Sequence, residues 1–335
     1  MEVFKKETRI DFIGRRRLPI ALSALLIIGT FITLFTRGLN FGLDFTGGTL
    51  IELSYQDSVD VSVVRNQLAQ AGMTDSVVQH FGTSRDVMVR IPVRADNESA
   101  KLSNEVVGIL RTAVGEKLVQ SQPGKAQQCL AEKSSSIRDC QIQVRRVEFV
   151  GPQVGEELTE QGGLALLYTL IAILIYVMFR FEWRFAVGAI IATAHDVLLT
   201  FGFFSLMQLE FSLSVLAALL AVLGYSLNDT IVVFDRIREN FRKMRKSSNI
   251  EVMNASINQT LSRTIITSMT TLLTVLALYF FGGEIIHGFA IALMIGIIVG
   301  TYSSIYIATP AVLVMGVSRE DLMPVKKEGA GDDLP

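Results

Sequence analysis

Six long apolar runs separated by polar turns organise the chain. They cover residues 18–36, 161–179, 185–207, 211–234, 262–283 and 285–317. A membrane span needs about 20 mostly apolar residues to cross a hydrocarbon core of about 30 Å. Each run meets that length, so the pattern predicts six transmembrane helices, TM1 to TM6, with a kink in the last at Pro310. The first run follows Arg15, Arg16 and Arg17 as a signal peptide would. It is long for that role and no A-x-A site follows it, so an uncleaved anchor is expected.

Between the first two runs the periodicity changes. Residues 37–160 carry charge throughout and alternate in short stretches. Residues 49–55, 76–81, 86–91 and 141–150 have strand patterning, with a turn at 82–85. Residues 60–71 space Val61, Val64, Leu68 and Ala71 as one helix face behind a capping Asp60, and 98–118 is a second helical stretch. The order βαββαβ is that of a ferredoxin-like split sheet. The expected fold is therefore a six-helix membrane protein bearing one small α+β domain.

Basic residues orient the spans. Lys5, Lys6, Arg9 and Arg15–Arg17 precede TM1, and Arg180 and Arg184 lie between TM2 and TM3. Arg236, Arg238, Arg242, Lys243, Arg245 and Lys246 follow TM4, and Arg319, Lys326 and Lys327 follow TM6. The opposite turns, 208–210 and 282–284, contain neither Lys nor Arg. Residues 1–17, the loop 235–261 and the tail 318–335 are thus expected in the cytoplasm, and the domain 37–160 outside it.

Composition agrees. Half of the residues are hydrophobic, 19% are charged, and the net charge is −1. Mean hydropathy is +0.43. That excludes a disordered chain or a coiled coil, and leaves no broad positive field for nucleic acid. Neither a P-loop nor a dinucleotide, zinc-protease or serine-hydrolase motif is present, so the sequence points to no enzyme and implies no cofactor.

The chemistry-bearing residues are those charged inside spans, where a charge costs several kcal/mol unless it faces protein or water. Asp196 falls in TM3, Asp229 in TM4, and Arg263 at the entrance of TM5. Arg263, Thr267, Thr270 and Thr274 share a helical face that is expected to lead water into the bundle. The alternatives are a snorkelling arginine and a structural acid paired to a neighbouring helix. TM6 repeats small residues at 288, 292, 296, 300, 304 and 308, a packing seam. Outside the spans, Gly47 and Gly48 on one side and Gly151 and Pro152 on the other are candidate hinges, with Asp44 capping the base of the domain. Cys129 and Cys140 are candidates for a disulfide, or two free thiols.

Several motifs together resemble the SecF family of bacterial protein translocase subunits, part of the wider SecD/SecF group. They are GLDFTGG (42–48), VEFVGPQVGEEL (147–158), AHDV (194–197), GYSLNDTIVVFDRIREN (224–240), SINQTLSRTIITS (256–268) and FGG (281–283). The match runs nearly end to end, except for 121–140, which fits no family pattern. The resemblance implies half of a twelve-span assembly of the resistance–nodulation–division type, in the inner membrane. Implied partners are SecD, YajC, the SecYEG channel with the SecA ATPase, exported preproteins and membrane lipid. It implies that the proton-motive force assists late export, with Asp229 on the proton path, Arg263 its basic partner and Asp196 in support. Some members of the family use sodium. The rival readings are a small-molecule exporter of the same superfamily and a scaffold subunit that only stabilises SecD.

Overall fold

The computed structural model describes residues 8–92, 99–120, 126–131, 136–244 and 246–317. The flanking basic residues Lys5, Lys6, Arg245, Arg319, Lys326 and Lys327, and the tail 318–335, lie outside them.

The chain begins with helix α1 (Arg17–Arg37), strand β1 (Asn40–Phe41) and the one-turn helix α2 (Leu43–Thr46). The α+β domain follows as β2 (Gly48–Tyr55), α3 (Val61–Gln70), β3 (Val77–Phe81), β4 (Thr83–Ile91), α4 (Ser99–Ala113), β5 (Glu116–Gln120), β6 (Gln128–Ala131), β7 (Ile137–Asp139) and β8 (Ile142–Val150). Then come α5 (Pro152–Arg180), α6 (Trp183–Met207), β9 (Glu210–Phe211), α7 (Leu213–Lys243), α8 (Asn249–Phe281) and α9 (Glu284–Ser303). A π-helical turn (Ser304–Ala308) and α10 (Thr309–Val314) close the described chain.

The main sheet has the order β3-β4-β2-β8, antiparallel throughout, which is the ferredoxin-like arrangement. Alternation fixes its faces. Ile51, Leu53, Val87, Val89 and Ile91 point to one side and pack against Val64 and Leu68 of α3 and Val106 and Leu110 of α4. Asp60 caps α3 by accepting from the Ser62 amide at 2.8 Å. The turn between β3 and β4 is tighter than the spacing predicts, closing at Gly82 with φ 82°. The helical stretch 98–118 also needs correction: α4 stops at Ala113, and Gly115 at φ 71° turns the chain into β5.

Strands β5, β6 and β7 form a second antiparallel sheet that the sequence did not disclose. Cys129 and Cys140 are joined across it by a disulfide, with Cα atoms 4.9 Å apart. Buried Glu116 accepts from Arg138 at 3.2 Å and from the Gln141 amide at 2.9 Å, and Arg111 donates to the Ile142 carbonyl at 2.8 Å. The insert is thereby tied to the root of β8.

Among the described residues six helices are long and apolar enough to cross a membrane: α1, α5, α6, α7, α8 and the stretch Ile285–Val314. α6 and α7 carry most of the buried side chains of the bundle, while α1 and α8 face largely outward. The seam on α9 packs against α7. A methyl group on Gly296 would stand 2.2 Å from Val222, and one on Gly300 3.0 Å from Ser226. Ahead of Pro310 the last span contains the π-helical turn; the Thr309 hydroxyl donates to the Ser304 carbonyl at 3.0 Å, and Pro310 lies in the first turn of α10. Insertion of one residue into the helix is a common way to release the backbone bond that proline cannot make.

Candidate functional site

The α+β domain meets the spans through the glycine-rich run after α1. β1 pairs in parallel with β9, at the turn between α6 and α7. One turn later Asp44 accepts a 2.8 Å hydrogen bond from the Leu213 amide, the first residue of α7. A carboxylate there satisfies a free helix-end donor and sits favourably in the helix dipole. Gly47 and Gly48 lie at φ 66° and 127°, and a methyl group on Gly48 would stand 2.4 Å from the Ile91 carbonyl oxygen. Gly151 is the N-cap and Pro152 the first residue of the 29-residue α5. Of the two candidate hinge residues on this side, Pro152 is therefore already helical, which confines any bend to Gly151.

Inside the bundle Asp196 is fully buried and held from three sides. His195 Nδ1 lies 3.0 Å from one carboxylate oxygen. The other accepts from Ser226 of α7 and, at 2.8 Å, from Ser303 of α9. Gly188, Ala192 and Thr200 continue the same buried face of α6. Asp196 thus joins three helices, with each acceptor used.

Asp229 is built differently. It is also buried, yet its Oδ2 has no hydrogen-bond partner. The Ser268 hydroxyl of α8 is within reach of the carboxylate, and Arg263 is close enough for its charge to act on it. Among the described residues no ion pair joins Arg263 to Asp229. Ser268 also bonds the Tyr225 hydroxyl at 3.1 Å and the Thr301 hydroxyl at 2.6 Å. A buried carboxylate with an empty acceptor site is costly unless a proton, a cation or a moved donor fills it.

The expected water-leading face of α8 needs correction. Arg263, Thr270 and Thr274 are exposed on the outside of the helix. The hydroxyls of Thr267, Thr270 and Thr274 donate to carbonyls of Arg263, Ile266 and Thr270 in their own helix. The inward face is one residue further on, at Thr264, Ser268, Thr271 and Val275. Polar residues surround α8 at this level, so their spacing admits several faces, and the burial of Val275 against α9 selects one.

Sequence reasoning also passed over Ser226, Ser268, Thr301 and Ser303. Each is a small hydroxyl within a span, the only signal available, and is shared with residues that bond their own backbone.

Comparison with known proteins fits this architecture. A family model described as "Protein export membrane protein SecD/SecF, C-terminal" matches residues 130–318, and one described as "SecD/SecF GG Motif" matches 32–59. Protein translocase subunit SecF of Vibrio alginolyticus is 49% identical over 100% of this chain and 99% of its own length. That of Escherichia coli O157:H7 is 41% identical over 97% and 94%. The crystal structure of SecDF, a translocon-associated membrane protein from Thermus thermophilus, superposes with a TM-score of 0.77 at 38% identity. It covers 93% of this chain, which spans only 39% of that one. SecDF in a super-membrane-facing form gives a TM-score of 0.64 at the same identity. This multi-pass membrane chain, with its ferredoxin-like α+β domain and buried span acids, belongs to the SecD/SecF family of protein export membrane proteins.

Proposed function

We propose that the chain is the SecF-type half of a SecD–SecF assembly that uses an ion gradient to assist protein export beside the Sec translocase. The observation that carries this reading is Asp229, a buried carboxylate with an unpartnered oxygen beside Ser268 and in range of Arg263. A proton or sodium ion that fills the site changes its charge, and neighbouring helices repack in response. One proton crossing 100 mV releases about 2.3 kcal/mol, a bias of about fiftyfold on a two-state element. Asp196, saturated with donors, holds α6, α7 and α9 together around that step.

Two features support a second membrane half. The relatives of known structure are SecDF chains of which this one spans 39%. In addition α7, otherwise buried, leaves Ala217, Ala221, Gly224 and Asn228 exposed in one stripe. Small residues admit close approach of another helix backbone. SecD is the partner in this reading, with YajC, SecYEG and SecA as further members of the assembly and the emerging preprotein as client. The location is the inner membrane, with residues 1–17, 235–261 and 318–335 cytoplasmic and 37–160 periplasmic.

In this reading the outer domain tilts about Gly47–Gly48 and Gly151, with Asp44 holding the base. The unequal fit to the two solved SecDF forms, 0.77 against 0.64 at equal identity, supports a family scaffold that changes shape. The test is export from sealed vesicles with the pH and Na⁺ gradients imposed separately. Asp229→Asn should leave the complex assembled and abolish the response to whichever gradient drives it. Full gradient-driven export by that variant would overturn the assignment.

A further inference from the structure

Beside the carboxylate of Asp196 lies a group that the ion-coupling scheme above does not use. His195 is 3% exposed, its Nδ1 is bonded to Asp196, and its Nε2 has no partner. Its position is set by close packing of α6 on α1. Gly202, two helical turns beyond His195 on the same face, leaves no room for a methyl group, which would stand 2.0 Å from the Thr30 hydroxyl. Two turns before Thr30 on α1 is Ser23, whose hydroxyl meets that of Tyr302 at 2.9 Å. Tyr302 of α9 donates to the Pro19 carbonyl at 2.7 Å, and its ring stacks on the imidazole with centroids 6.2 Å apart. His195 therefore stands where α1, α6 and α9 meet, locked by an aromatic ring on one side and a carboxylate on the other.

We propose that His195 is a second proton-binding residue of the transport cycle, accepting a proton on Nε2 at the α1–α6–α9 junction. The inference rests on the ion-coupled reading above. Asp196 accepts from the hydroxyls of Ser226 and Ser303 on one oxygen and faces His195 Nδ1 with the other. In the proposed resting state the carboxylate is ionised and receives Nδ1–H from a neutral imidazole. This orients the ring with the lone pair of Nε2 free, the arrangement by which a carboxylate turns a histidine into a base. Taking a proton from water gives an imidazolium–carboxylate pair of zero net charge, and returning it to water restores the single negative charge. The other titratable groups facing this pocket are few. α9 contributes Tyr302, with Tyr306 of the π-helical turn behind it. α7 contributes Asp229, three positions beyond Ser226, and neither α1 between Arg17 and Arg37 nor α5 over 161–179 contains a charged residue. No neighbouring cation opposes the incoming proton among the described residues.

The unoccupied lone pair also explains how one serine can couple two acids. Ser226 donates to Asp196 and shares its helix face with Asp229. A change of charge at the His195–Asp196 pair is felt at that hydroxyl, on the helix that carries the first ion site.

The test uses the full chain in complex with SecD. ¹⁵N-histidine spectra of the unsubstituted complex, with His80→Gln and His287→Gln variants to remove the other two signals, report His195 directly. The imidazole should change between its neutral and doubly protonated forms when a proton gradient is imposed. A ring that stays in one form throughout overturns the proposal. His195→Asn is the functional counterpart, because its amide reproduces the Nδ1–H bond to Asp196 without a titratable lone pair. Loss of proton-gradient-driven export in this variant, with its assembly intact, is the expected result. Normal export with an unchanged pH profile means that the histidine is only a structural partner of Asp196. Asp229→Asn measured alongside separates the two claims. If it alone loses gradient response, this inference fails and ion coupling at Asp229 stands; if neither variant does, the ion-coupled reading itself fails.

Discussion

Ser226 and Asp229 lie three positions apart on one face of α7 and belong to two carboxylate sites of opposite character. The serine donates to Asp196, whose acceptors are filled, whereas Asp229 keeps an oxygen with no partner. One helix therefore carries both a fixed anchor and an unsatisfied site. The first is suited to hold the bundle together and the second to change state.

Exchanging the charges separates ion carriage from simple pairing. Asp229→Arg combined with Arg263→Asp preserves opposite signs across the α7–α8 boundary. A scaffold needs no more than that and would recover export. An ion site needs the carboxylate beside the Ser268 hydroxyl, so the double variant should remain as inactive as Asp229→Asn in vesicles with an imposed gradient.

The exposed stripe of α7 predicts where the second membrane half docks. Gly224→Leu adds a side chain to a face that is bare among the described residues, so the isolated chain should insert and fold normally. Close helix approach depends on small residues at the contact. Co-purification of SecD with this variant should fall, while Val63→Leu, on the exposed side of α3, should leave it unchanged.

The α+β domain should lose stability in acid. Burial works against the charged form of Asp86, but hydrogen bonds from Thr83 and Ser54 and the charge of Arg145 outweigh it and hold its carboxyl below the usual range. The Ser62 backbone amide does the same for Asp60. Groups lowered in the folded state add stability that is fully present above their unfolded value, about 3.9, and is lost as pH falls through the folded value. Protease resistance of the domain should therefore hold from neutral pH down to about pH 4 and decline below it. Asp86→Asn should flatten that decline.

The Cys129–Cys140 bridge closes a loop of sequence separation 11, for which chain-entropy reasoning gives about 3 kcal/mol. Its removal acts beyond the insert, since Gln127 accepts from the Val144 amide and from Arg111 and so caps the first part of the edge strand β8. The Cys129→Ser, Cys140→Ser double variant should open β5–β7 to proteolysis first. Amide exchange in β8 near Val144 should rise with it, while β2 and β4 remain protected.

The parts of this protein that were legible in its sequence are those set by a single strong preference. Long apolar runs mark spans, and alternation at Val87, Val89 and Ile91 marks a strand with one buried face. Gly48 and Asp44 stood out by type, but their tasks depend on the Ile91 carbonyl and the Leu213 amide, distant in sequence. The roll of α8 was misread because Thr264, Thr267, Ser268, Thr270, Thr271 and Thr274 ring the helix with hydroxyls. Only packing against α9 decides which of them turn inward. The β5–β7 sheet was invisible because its strands are short and its stability comes from a disulfide and Glu116 rather than from patterned apolar residues.

A groove of about 600 Å³ separates the α+β domain from the turn between α8 and α9, with Glu52, Thr83, Asp86 and Arg145 on one wall and Phe280, Ile285 and His287 on the other. The chain passes between the domain and the spans at Gly47–Gly48 and at Gly151, so a tilt about those points would open or close this groove. Thr83→Cys with Ile285→Cys places one thiol on each wall. A flexible bis-maleimide linking them should slow export without releasing SecD, and the same thiols capped singly should not. A cleavable linker adds the decisive control, since cutting it should restore the rate. Export at the normal rate with the groove bridged would mean that the domain works without reorienting.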